Sequence, residues 1–193
     1  LRGEYPADML DLYAEQIPDI HEGDLEKISV PMDYLGINFY RRSVIAEGDE
    51  VSPVNYRRVN PDGDYTEMGW EISPQGLYDI LKYVHDNYDV SALYITENGA
   101  AFKDEVSEDG RVYDIQRVDY LEKHFAQAQR AIADGIPLKG YFVWSLLDNF
   151  EWACGYRTRF GLIYVDYETQ KRIIKDSGYY LAQVIGQKQA SSI

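Results

Sequence analysis

The residues best suited to chemistry in this chain stand where apolar runs stop. Leu93-Tyr94-Ile95-Thr96 has strand character and runs straight into Glu97-Asn98-Gly99. An unpaired carboxylate inside a buried strand is costly or is forced to neutralise. At the C-terminal end of a parallel strand, the same acid sits where (β/α) folds place their chemistry. Gly99, which can take a positive φ without strain, is expected to let the chain turn away at once. The competing reading of Glu97 is a strand-end acid that caps a turn. A second stretch, Trp144-Ser145-Leu146-Leu147-Asp148-Asn149-Phe150-Glu151-Trp152, again sets polar and aromatic groups after an apolar run, and it favours function for Glu97. A third, Asp33-Tyr34-Leu35-Gly36-Ile37-Asn38-Phe39-Tyr40, also ends in polar and aromatic groups.

The elements that must position these groups follow from the pattern along the chain. Pro6 opens a helix with Met9, Leu10, Leu12, Tyr13 and Ile17 on one face, and Pro18 ends it. A helical turn around Leu25 to Ile28 precedes Pro31, and Met32 to Tyr40 reads as a strand. Arg41 to Tyr65 is polar, holds Pro53, Pro61 and Gly63, lacks periodicity, and reads as a long surface excursion. Ser73 suits an N-cap and Pro74 the first helical position. Leu77, Ile80, Leu81 and Val84 then recur at spacings of three or four, the mark of an amphipathic helix. The strand Ala92 to Thr96 follows, then a polar loop with Asp109-Gly110 and a helix from Ile115 to Ala133 ended by Gly135. Gly140 to Ser145 is a third strand, Phe160 to Tyr167 a hairpin-like segment, and Asp176 to Ile185 a closing helix.

Strands alternating with helices, each strand apolar on both faces, predict parallel β/α units covered by helices. Three units do not close. A (β/α)8 barrel takes about 250 residues and needs all eight strands to bury its interior, while an open three-stranded sheet exposes two edges. The fold class expected is therefore α/β, the C-terminal part of a TIM barrel. Residues 1–193 form one segment, and the missing strands come from another chain or a lost N-terminal segment. The chain does not begin with Met, which fits a piece of something that began earlier.

Composition narrows the partners. Among 193 residues, 33 acids against 19 bases leave a net charge of −14. That argues against nucleic acid and anionic membranes, which need basic surface. Cys154 stands alone, so no internal disulfide forms and a reducing cytoplasm is compatible. No basic cluster surrounds it, so it reads as a small buried residue rather than a reactive thiol. No signal peptide or membrane-length apolar run appears. His21, His85 and His124 lie far apart without ligand spacing, and no Gly-rich phosphate loop is present, so no metal or cofactor is expected.

Tyr94-Ile95-Thr96-Glu97-Asn98-Gly99 resembles the nucleophile motif of glycoside hydrolase family 1, the β-glucosidases and their relatives. The stretch Asp33 to Tyr40 is similar to that family's strand six. Gly140 to Gly161, with Gly155-Tyr156-Arg157-Thr158-Arg159-Phe160-Gly161, resembles strand eight and its loop. The tail, from Tyr164-Val165-Asp166 through Lys175-Asp176-Ser177, follows the family's ending. The resemblance spans essentially the whole chain, in order.

The resemblance implies a retaining glycosidase in which Glu97 attacks the anomeric carbon and forms a covalent glycosyl-enzyme. That chemistry needs a second carboxyl group about 5–5.5 Å away, acting first as acid and then as base. The family keeps it in a Thr-x-Asn-Glu-Pro motif, and this sequence holds no Asn-Glu-Pro. The strand-one Gln and strand-three His-Trp that grip the sugar in the family are absent too. The chain is thus expected to hold half of the active site, completed by a second polypeptide carrying the N-terminal half of the barrel. Tyr40 is expected to hydrogen-bond the nucleophile, Asn38 to line the sugar or stand behind it, and Trp144 to offer a face for a pyranose ring. Glu151 and Trp152 suit sugar hydroxyls, as acceptor and indole donor. Phe160 is expected to close the sugar pocket, and Trp70 to border the leaving-group side. Relatives acting on 6-phosphorylated sugars hold the phosphate with Ser, Lys and Tyr in this region. Residues 145 to 154 contain no Lys or Arg, which favours an unphosphorylated β-glucoside, a close epimer or fucoside, or an oligosaccharide. The alternative is a non-catalytic fragment that self-associates through its sheet edges with at most weak sugar binding.

Overall fold

The structure, a computed structural model, describes residues 2–48 and 54–190. In chain order the elements are α1 (Ala7–Leu12), α2 (Asp24–Ile28), β1 (Leu35–Asn38), β2 (Val44–Glu47), β3 (Tyr56–Val59) and α3 (Pro74–Asn87). There follow β4 (Leu93–Asn98), α4 (Ile115–Ala133), β5 (Leu138–Val143), β6 (Ile163–Val165), β7 (Arg172–Ile174) and α5 (Asp176–Ala190). β1, β4 and β5 form one sheet in the order β1-β4-β5, with both pairings parallel. The three β/α units expected from the alternation are therefore present, and β4 is the central strand.

One face of this sheet is covered. Leu93 and Ile95 of β4 and Leu77 and Leu81 of α3 are all 0% exposed, packed with Phe39, Ala128, Ile136 and Leu138. Burying each such side chain contributes about 1.5–3 kcal/mol. Among the described residues, nothing covers the face that the sequence also paints apolar. Phe142 is 58% exposed and Tyr34 57%. Among the described residues β1 and β5 each pair with β4 alone, which leaves two open edges. A second cluster, Ala100, Phe102, Tyr120, Leu121 and Leu162, sits beyond the C-terminal ends of the strands and joins α4 to α5.

Several expectations need correction. The first helix stops at Leu12, and a separate 3-10 turn, Ala14–Gln16, occupies the rest of the pattern. β1 covers only Leu35–Asn38 of the expected 32–40 strand. The supposedly irregular excursion contains an antiparallel hairpin, β2 against β3, pairing Val44 with Val59 and Glu47 with Tyr56. Strands of four residues with one half-buried face are too short for periodicity to reveal. Pro53 lies outside the described residues. Ser73 does occupy the N-cap and Pro74 the first turn, yet the Ser73 side chain makes no capping hydrogen bond. β6 pairs with β7 beyond the expected hairpin limit, and α5 continues to Ala190. Gly99 does not take a positive φ; a Cβ there would lie 1.8 Å from the Trp144 carbonyl oxygen, so glycine is needed for close approach. Among the described residues, no helix is long and apolar enough to cross a membrane.

Candidate active site

Strict alternation would aim Glu97 at the helices, because Leu93 and Ile95 both point there. It does not go there. The ladder shifts register between Ile37 and Asn38 on one side of β4 and between Ile95 and Asn98 on the other, which pairs Asn38 with Glu97. Such a bulge places two consecutive residues on one face. Thr96 and Glu97 therefore both face away from the helices, where Thr96 Oγ1 donates to Asn38 Oδ1 at 2.7 Å. Asn98 turns back toward the helices instead and is fully buried against Tyr120 of α4.

Tyr40, two residues past β1, donates its phenol to Glu97 Oε2 at 2.7 Å. Burial chiefly holds the Tyr40 phenol above its ordinary range, and the hydrogen bond to Glu97 and the Glu97 charge push the same way. The Glu151 charge adds a smaller contribution in the same direction. Tyr40 thus keeps its proton and remains a hydrogen-bond donor to Glu97.

Around this pair stand aromatic rings. Trp70 meets Tyr40 edge-on with centroids 5.4 Å apart, and Phe160 lies 6.2 Å from Tyr40 and 6.1 Å from Trp70. Phe160 is 3% exposed, so it holds the other two rings from behind. The Arg41 guanidinium sits 5.6 Å above Trp70, a contact that nothing in the sequence announced. Half-buried Trp144 follows β5, its N–H donating to the Asn98 carbonyl at 2.9 Å. The Trp144–Ser145 peptide is cis.

Glu151 and Trp152 occupy a tight loop. Glu151 N–H donates to the Gly155 carbonyl at 2.7 Å, and Cys154 N–H to the Glu151 carbonyl at 2.8 Å. Trp152 is 83% exposed and has φ 41°, an uncommon conformation for a bulky residue and one typical of functional loops. Half-buried Cys154 packs its sulfur 4.0 Å from Met68. Of the predicted site residues, Glu97, Tyr40, Trp70 and Phe160 form one contiguous cluster, and Glu151 reaches it electrostatically. Asn38 joins through Thr96 and Trp144 through Asn98. Trp152 stands exposed at the rim.

What the sequence did not reveal is the support beneath that loop. Asp148 is buried and takes hydrogen bonds from Lys175 at 2.8 Å, Arg159 at 2.6 Å and the Gly161 N–H at 2.9 Å. Lys175 also holds Asp104 at 2.6 Å, and Arg117 grips Asp104 through two bonds of 3.0 and 2.9 Å. Arg117 further pairs with Asp114, which accepts the Ser177 N–H at 2.8 Å. Three aspartates balance three cations. Burial pulls the Lys175 pKa down, aided by the Arg117 charge and opposed by Asp104 and Asp148. Burial also works against charged Arg117, but Asp104 and Asp114 more than offset it and its pKa rises. Scattered charges in loops and helices gave no sequence signal that they would meet. Among the described residues, no group of three or more His, Cys, Asp or Glu could hold a metal ion.

Comparison with known proteins bears on this geometry. The profile described as glycosyl hydrolase family 1 matches residues 1–190. Beta-glucosidase A of Thermotoga maritima is 52% identical over 184 residues, which are 95% of this chain and 41% of that protein. The 1,4-beta-D-glucan glucohydrolase of Thermotoga neapolitana is 54% identical over 184 residues, with the same coverage of 95% and 41%. Among solved structures, the family 1 β-glucosidase from Thermotoga maritima in complex with isofagomine lactam superposes with a TM-score of 0.90 at 51% identity. It is matched over 96% of this chain and 41% of its own. The chain thus spans about two fifths of the length of the relatives it matches, as part of their barrel.

Proposed function

The chain belongs to glycosyl hydrolase family 1, and on that premise we propose that it supplies the nucleophile side of a retaining β-glucosidase site. Glu97 is the nucleophile and Tyr40 the donor that steadies its ionised form. Trp144, Glu151, Trp152 and Asn38 take the sugar, Phe160 supports the rings, and Trp70 borders the leaving group. The observation that carries this reading is the 2.7 Å hydrogen bond from Tyr40 to Glu97 at the C-terminal end of the sheet. A carboxylate re-aimed off the packed face by a bulge and given a phenol partner is arranged to react, whereas a turn cap would bond main-chain N–H groups.

The acid/base group lies outside these 193 residues, on polypeptide that completes the barrel. The open edges of β1 and β5 and the exposed inner-face residues Phe142 and Tyr34 support that completion. So does an apolar groove between α4, β5 and α5, lined by Phe125, Ile132, Leu138, Tyr141, Leu181 and Ile185. This chain then corresponds to about strands six to eight with their helices. The substrate is an unphosphorylated β-glucoside or close epimer, since residues 145 to 154 offer a phosphate no cation. A lone half-buried Cys154 fits a cytoplasmic setting.

Native mass spectrometry followed by incubation with a 2-fluoro-glucoside bearing a good leaving group tests the reading. The expected result is a sugar adduct on Glu97, lost in Glu97→Gln, on material that also contains the completing polypeptide. A homo-oligomer of this chain with no adduct would instead support the second reading, a non-catalytic fragment covering its own open edges.

A further inference from the structure

We propose that Asn98 is a positioning residue, a buried side-chain clasp that sets Tyr40 and Trp144 around Glu97. The need for a clasp arises from the bulge. Main-chain pairing slips on both sides of β4 at this level, so the ladder alone does not fix where β1 and β5 deliver their side chains. Asn98 is 0% exposed and uses its whole amide. Its Nδ2 donates to the Phe39 carbonyl at 2.7 Å and to Tyr120 Oη at 2.9 Å, and its Oδ1 accepts the Tyr141 phenol. These partners belong to three elements: the end of β1, α4 and β5.

The grip on Phe39 is two-sided. Its N–H donates to the Glu97 carbonyl at 2.9 Å while its C=O is held by Asn98. The peptide held through that C=O is the one leading into Tyr40, so the phenol's starting point is fixed relative to the carboxylate it must meet. Through its own carbonyl, Asn98 also receives the Trp144 N–H at 2.9 Å. An apolar residue here would leave Phe39 O and two phenols buried without this partner, and an aspartate would set a negative oxygen against the Phe39 carbonyl. Stacking of Tyr120 on His124, centroids 3.9 Å apart, steadies the third partner.

This inference rests on the reading of Glu97 as nucleophile, but its test separates the two. Asn98→Asp and Tyr141→Phe are compared with the wild type by crystallography and by the rate of labelling with the 2-fluoro-glucoside. The expected result is that Asn98→Asp moves Tyr40 out of hydrogen-bonding distance of Glu97. It also lowers the first-order labelling constant about 10- to 100-fold, with half-saturation little changed, as expected for a loss felt mainly in the transition state. Tyr141→Phe, which keeps both donors of the amide, does so less. Mere destabilisation would lower the labelled fraction and leave that constant alone. A folded Asn98→Asp protein that keeps the Tyr40–Glu97 bond and labels at the wild-type rate overturns the proposal. If no variant and no wild type is labelled, the nucleophile reading fails while the Tyr40–Glu97 distance still decides the clasp. Should Asn98→Asp not fold, a scalar coupling in the wild type between Asn98 Nδ2 and the Phe39 carbonyl carbon decides it; its presence supports the clasp and its absence overturns it.

Discussion

Gly99 and Trp144 touch backbone to backbone: a Cβ on Gly99 would stand 1.8 Å from the Trp144 carbonyl oxygen. That contact lets the end of β5 close over the turn that follows Glu97. Gly99→Ala must push the two segments apart, and overpacking of this kind costs about 1–3 kcal/mol or more. Thermal unfolding is expected to show a lowered midpoint, together with loss of Trp144 order in a crystal structure. An unchanged midpoint would mean that the contact is looser than described.

The Tyr40 phenol is raised first by burial and then by Glu97. In Glu97→Gln the charge is gone, so Tyr40 is expected to ionise at lower pH than in the wild type, yet still above an ordinary tyrosine because burial remains. Carbon-13 NMR of the labelled tyrosine ring, assigned with Tyr40→Phe, reads this directly. Identical titrations in both proteins would contradict the coupling.

Lys175, 0% exposed, joins Asp104 to Asp148 beneath the loop that carries Glu151. Lys175→Met leaves each aspartate with one cation fewer, and breaking a buried ion cluster costs about 3–5 kcal/mol. Urea unfolding should show that loss. A change under 1 kcal/mol would mark the cation as dispensable, on the scale of a surface pair at about 0–1 kcal/mol.

His124 is buried, bonds the Tyr120 carbonyl through Nδ1, and has an Nε2 without a hydrogen-bond partner. Burial lowers its pKa from 6.5 to about 4. The unfolded chain therefore binds the proton first as pH falls. Stability from this residue is full above pH 6.5 and is lost between about 6.5 and 4, a change on the order of 3 kcal/mol. His124→Phe is expected to flatten the stability profile in that window while leaving stability near neutral pH intact. A parallel profile for wild type and variant would rule His124 out as the acid-sensitive group.

The sequence by itself determined the order of the β/α units and the points where strands end in polar or aromatic groups, because apolar runs and turn residues are local signals. It was enough to nominate Glu97, Tyr40, Trp144 and Glu151 before any of them was known to be near another. It did not determine which way Glu97 faces. A period-two reading sends Glu97 toward the helices and Asn98 away, and only the bulge between Ile95 and Asn98 reverses them. A bulge is a pairing event between strands distant in sequence, so no window of one strand contains it. The same holds for Gly99, whose reason lies 45 residues away at Trp144, and for Arg117, Lys175 and Asp148, which meet only when α4, α5 and the loop after β5 are packed. Local propensity chose the elements. Which side chains share one low-dielectric space was decided by long-range packing.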